Sequence, residues 1–81
     1  MDKKTIEIIR LLKENIVELE DIEITEHTPL ISSGFIESFD VIESLSRIEE
    51  RFNIEIPLES VSIEEFNTAD SIKNLVERLG G

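Results

Sequence analysis

The sequence predicts an all-α fold of four helices, three longer and one short, with a long first loop. Three observations predict it. Apolar residues recur at steps of three and four in three separate stretches, the period of a helix face. The 81 residues include no aromatics but four Phe, so Ile, Leu and Val must build most of the core. Helix stop and start signals punctuate the stretches: Asn53 and Pro57, then Ser62, then Gly80.

In the first stretch Ile6, Ile9, Leu12, Ile16 and Leu19 make the stripe, and Ile8 and Leu11 widen it. A helix over residues 3–19 with a broad buried face is expected. The exit, "ELEDIEITEHTPLISSGFIE", holds β-branched residues, one Pro and one Gly without a clear period. Ile22, Ile24, Leu30, Ile31, Phe35 and Ile36 would be costly to leave in water, so this connection is read as an ordered loop lying across the bundle.

Val41, Leu45, Ile48 and Phe52, with Ile42 beside them, place the second helix at residues 38–52. Asn53 suits a left-handed position after it, and Pro57 disfavours helix at the residue before. "SIEE" at 62–65 has the capping-box pattern, Ser62 with Glu65, so a short third helix starts there. Asn67 or Thr68 caps the last helix, whose Ala69, Ile72, Leu75, Val76 and Leu79 share one face. With no repeats, low-complexity tracts or linker, residues 1–81 are expected to form one domain.

Nineteen acids oppose eight bases, for a formal net charge of −11, and no Lys or Arg lies between Lys13 and Arg47. Nucleic acid is excluded as a partner on this ground, because phosphate binding needs a basic patch. The acidity suits a basic protein surface, and it equally suits a small domain that only needs solubility. There is no Cys, hence no disulfide scaffold and no thiolate nucleophile. No apolar run approaches a membrane span, and the charged start "MDKKTIEIIR" lacks a secretory stretch, so a soluble, cytoplasmic monomer is expected.

Catalysis has little to stand on. His27 is the only histidine and sits in the loop beside Thr28 and Pro29, with no local group to orient it. Ser38 is not in G-x-S-x-G, since Gly34 lies four residues before it and Asp40 stands at the second Gly position. Asp21 and Glu23 alternate as in a calcium loop, but Glu26 occupies the sharp-turn Gly position. The pairs Glu49-Glu50 and Glu64-Glu65 are adjacent on helices and point in different directions, as a solvated face would. The chain reads as a non-enzyme.

Ser38 is the residue that needs an explanation. Serine at a helix start is a favoured cap, and that alone would account for it. Its setting admits a second reading. Gly34 permits a tight turn, Phe35 and Ile36 can anchor the loop, and the helix amides and macrodipole favour an attached phosphate. Residues 37–50 then hold Glu37, Asp40, Glu43, Glu49 and Glu50 against Arg47 alone.

In order, "GFIESF", "DVIESLSRIEERF", "FNIEIP" and "FNTADSIKNLVERL" resemble the carrier proteins of fatty-acid, polyketide and nonribosomal peptide synthesis. The resemblance covers about the whole chain in organisation, and it rests on the pieces together: a serine at a helix start, an acidic helix after it, the "NIEIP" exit and the spacing of four helices. It implies a four-helix bundle of acyl-carrier type. It also implies that Ser38 receives 4'-phosphopantetheine from coenzyme A, with a phosphopantetheinyl transferase supplying base and metal. An acyl or aminoacyl cargo would then ride as a thioester on the arm's thiol, which makes the lack of Cys compatible with thiol chemistry. A loading enzyme and downstream synthases or transferases with basic docking surfaces would meet Glu37, Phe39, Asp40, Val41 and Glu43. A shallow apolar cleft between helices would be the place to shelter an acyl chain.

The chain departs from the family pattern at Glu37, where Asp is usual, with the charge retained, and at Phe39, where Leu is commoner. Aromatic residues there occur in some stand-alone carriers, including those for amino acids. The alternative is an unmodified acidic interaction module of the same fold, for which Ser38 would be dispensable.

Overall fold

The computed structural model describes residues 2–34 and 36–81, and for Ser38 the backbone alone. Three α-helices make the body: α1 at Lys3–Asn15, α2 at Ser38–Phe52 and α3 at Ala69–Arg78. Single 3₁₀ turns stand at Val17–Leu19, Leu58–Ser60 and Ile63–Phe66, and no strand occurs among the described residues. The expected short helix is the last of these turns. α1 is central, packing against both α2 and α3.

Each helix begins and ends for a local reason. Asp2 accepts the Lys4 amide at 2.7 Å to open α1, and Thr68, not Asn67, caps α3 by accepting the Ser71 amide at 3.0 Å. Asn53 closes α2 in the left-handed region, φ 55° and ψ 53°, which Asn tolerates better than most residues. Before the turn Ile63–Phe66, Glu65 reaches back to accept the Ser62 amide at 3.3 Å.

The first helix is shorter than its stripe. It stops at Asn15, and Ile16 is extended, φ −122° and ψ 104°, before the chain coils again at Val17–Leu19. Asn15 donates its side-chain amide to the Leu11 carbonyl at 2.7 Å, a local bond that competes with helix continuation, and β-branched Ile16 tolerates the extended form well. The break still sends Ile16 and Leu19 into the core and leaves Val17 exposed. The stripe is also rotated: Thr5, Ile8 and Leu12 are its buried centre, while Ile6 is largely exposed. An apolar face this broad exceeds what two neighbouring helices can cover.

Leu12, Leu19, Leu45, Ile48, Ile72, Leu75 and Val76 meet in one core. The long loop contributes Ile24, Leu30 and Ile36 to it, so it lies across the bundle as its apolar residues require. Phe35, the other expected anchor, lies outside the described residues. Among the described residues, no helix is long and apolar enough to cross a membrane.

Candidate functional site

Ser38 is the first helical residue of α2, and the cap position belongs to Glu37, extended at φ −91° and ψ 156°. The serine is therefore one residue inside the position at which side chains cap. Glu37 makes no side-chain cap bond. Its carbonyl accepts the amides of Asp40 at 3.1 Å and Val41 at 3.4 Å, backbone bonds that close the first turn. Glu37 and Phe39, on either side of Ser38, are exposed.

The loop delivers α2 through a chain of backbone bonds. Gly34, at φ 83°, donates to the Ile31 carbonyl at 3.0 Å, a turn whose backbone a side chain would strain. Ile36 donates to the Leu30 carbonyl at 3.3 Å and buries its side chain, which fixes the chain one residue before the cap. Before the turn, the loop is held by the start of α3 and by Asn67 just ahead of its cap. Leu30 donates to the Asn67 carbonyl at 2.7 Å, and Asp70 donates to the Glu26 carbonyl at 3.0 Å.

The five acids of residues 37–50 divide into two kinds. Glu49 turns inward and accepts the Ile56 amide at 2.6 Å, and Glu50 lies 3.7 Å from Arg47. Glu37, Asp40 and Glu43 make no ion pair among the described residues. Beside them, Glu18, Gly34, Ile36, Glu37 and Asp40 line an open depression at the start of α2.

Of the apolar residues expected at the contact surface, Phe39 is 65% exposed, but Val41 has no exposed area and belongs to the core. Val41 shares its face with Leu45 and Ile48, both buried; Ile42, read from the sequence as flanking the buried stripe, is instead 38% exposed. The outer face of α2 thus runs Phe39, Ile42, Glu43, Ser46, Arg47 and Glu50, the three-and-four spacing of one helix side. His27 is an exposed loop residue, its Nε2 3.8 Å from Glu26. An apolar groove away from Ser38 follows α1, lined by Ile6, Ile9 and Val17 with Arg10, Lys13, Glu14 and Glu20.

A helix start at which the cap residue Glu37 makes no side-chain bond, at the end of a loop held in register, is compatible with an attached phosphate. Residues 7–79 match the family model described as the phosphopantetheine attachment site. The chain belongs to this family, the carrier proteins whose prosthetic group is 4'-phosphopantetheine. Two relatives, each named D-alanyl carrier protein, are similar over most of their length. The one from Leuconostoc citreum (strain KM20) is 32% identical over 76 residues, 86% of this chain and 97% of its own. The one from Leuconostoc mesenteroides subsp. mesenteroides is 33% identical over the same shares. No solved structure matches the chain.

The chain is thus of the stand-alone carrier kind, a bearer of cargo and not a catalyst. The residues present fit the group: the cap residue Glu37 makes no side-chain bond to the first-turn amides, and a phosphodiester is favoured at a helix N-terminus.

Proposed function

We propose that Ser38 is the residue that bears phosphopantetheine and that the cargo is an aminoacyl group, D-alanine in the first instance. The observation that carries the first part is the position of Ser38, at the first turn of α2 inside the matched stretch and behind a glycine turn. Its hydroxyl oxygen bonds to the phosphorus of coenzyme A that carries the pantetheine; the pyrophosphate bond breaks, the nucleotide half leaves, and the proton passes to a base of the transferase. The thiol that holds the cargo as a thioester belongs to the arm, so a chain without Cys needs none of its own.

Support for an aminoacyl cargo comes from the relatives' name and from charge. An aminoacyl thioester carries an ammonium group, and the depression at the start of α2 is rimmed by Glu18, Glu37 and Asp40. Like those of other carriers, its partners are the modifying enzyme, a loading enzyme and an acceptor enzyme. Phe39, Asp40, Glu43 and Ile42, with Glu37 at the cap, offer them an apolar strip edged by unpaired acids, to which a basic surface is complementary.

The test is the intact mass after incubation with coenzyme A, magnesium and a broad-specificity phosphopantetheinyl transferase, with Ser38→Ala alongside. One added phosphopantetheine on the parent chain and none on the variant is expected. Equal addition to both would move the attachment elsewhere, and no addition, with the enzyme active on another carrier, would favour the unmodified interaction module. Charging of the modified chain by a D-alanine-activating enzyme, compared with L-alanine and with a fatty acyl donor, then tests the cargo.

A further inference from the structure

The geometry points to Asn67 as a positioning residue for Ser38: its side chain clamps the loop that sets the start of α2, and so governs how fast a transferase can modify the serine. This rests on the reading of Ser38 as the attachment site. Asn67 lies 29 positions further along the chain, just before the Thr68 cap of α3. Its Oδ1 accepts two successive loop amides, Ile31 at 2.8 Å and Ser32 at 3.1 Å. Its Nδ2 donates to Ser32 Oγ at 3.1 Å, and its own carbonyl accepts the Leu30 amide at 2.7 Å. One residue therefore holds three consecutive loop residues.

Those three residues carry the path to Ser38. The carbonyl of Leu30 receives the Ile36 amide and that of Ile31 receives the Gly34 amide, and Ile36 is followed directly by the cap residue Glu37. At the α2 end, the cap residue Glu37 adds no side-chain bond of its own. The Asn geometry is specific. A carboxamide offers one oxygen for two converging amides and an NH₂ for the hydroxyl, whereas Ala offers neither. Asp keeps the acceptor and loses the donor.

The consequence concerns rate more than encounter. A transferase would meet the same acidic face of α2 in an Asn67 variant, so KM for the carrier stays near its parent value. Misplacement of the hydroxyl lowers kcat, by about tenfold, since displacements on the ångström scale cost that much or more in an aligned displacement.

The test compares the parent chain with Asn67→Ala, Asn67→Asp and Ser32→Ala, under conditions where circular dichroism shows each to be folded. Two quantities are read: amide hydrogen exchange at Ile31, Ser32, Ile36, Asp40 and Val41, and kcat and KM for phosphopantetheine transfer. Expected for Asn67→Ala is faster exchange that extends to Asp40 and Val41, with kcat down about tenfold and KM little changed. Asn67→Asp and Ser32→Ala should retain most of both. Faster exchange confined to Ile31 and Ser32, with α2 and kcat as in the parent, would overturn the inference, as would a rise in KM alone. Failure of the Ser38 reading shows differently: the parent chain itself would go unmodified, and the spread of exchange into α2 would still decide whether Asn67 positions that turn.

Discussion

Glu49 Oε2 accepts the amide of Ile56 at 2.6 Å, joining the last turns of α2 to the extended exit "NIEIP". An acid that belongs by position to the charged helix thus serves the backbone of the segment after it. Glu49→Ala should destabilise the chain by about 1.5 kcal/mol, the lower range for a hydrogen bond to a charged group, while Glu49→Gln recovers part of it. Urea unfolding with an unchanged denaturant slope is the measurement. A neutral Glu49→Ala would return Glu49 to the solvated face.

Glu65 and Arg78 approach to 2.8 Å, holding the turn Ile63–Phe66 to the end of α3. The Arg78 hydrogen bond, helped by the Ser62 amide and the guanidinium charge, holds the Glu65 carboxyl below its ordinary value of 4.5. A lowered folded pKa means that the contribution is fully present above the ordinary value and is lost as pH falls through the folded one. Arg78→Leu should therefore narrow its gap to the parent chain as acid is added. Melting temperatures of both from neutral pH downward would show it, and a constant gap would deny the linkage.

Because Glu37, not Ser38, holds the cap position, Ser38→Ala should change stability by no more than about 0.5 kcal/mol, the range for surface substitutions away from special features. Glu37→Asp supplies a better cap and should add about 0.5–1 kcal/mol. Paired urea titrations check both. A loss of about 1 kcal/mol or more in Ser38→Ala, the size of a lost cap, would mean that the serine itself caps the helix.

Val41 and Phe39 stand two residues apart and should respond oppositely. Val41→Ala removes fully buried methyls and should cost about 2 kcal/mol of stability. Phe39→Ala should leave stability nearly unchanged and weaken binding to the modifying or loading enzyme. Calorimetric binding beside thermal melts separates the two effects. Equal stability losses would place Phe39 in the core.

If Glu37, Asp40 and Glu43 steer basic partners, association should slow as salt rises, since exposed charges are screened over about 8–10 Å at moderate ionic strength. Stopped-flow association at two salt concentrations is the measurement. Insensitivity to salt would leave the apolar strip of Phe39 and Ile42 as the sole docking element.

Local chemistry made much of this protein legible before any coordinates. The 3.6-residue period placed α2 at residues 38–52, Asn53 ended it, Ser62 and Glu65 opened the short turn, and the serine at the start of the acidic helix marked the candidate site. Those signals act over a few residues, so a sequence displays them directly. Tertiary structure alone decided which way a broad stripe turns: Val41 went inward and Ile42 outward, and Thr5 and Ile8 displaced Ile6 from the centre of α1's buried face. It also turned Glu49 inward and brought Asn67 onto Ile31 and Ser32. Each of these depends on what packs against the residue or on partners distant in sequence, and neither period nor capping rules carry that information.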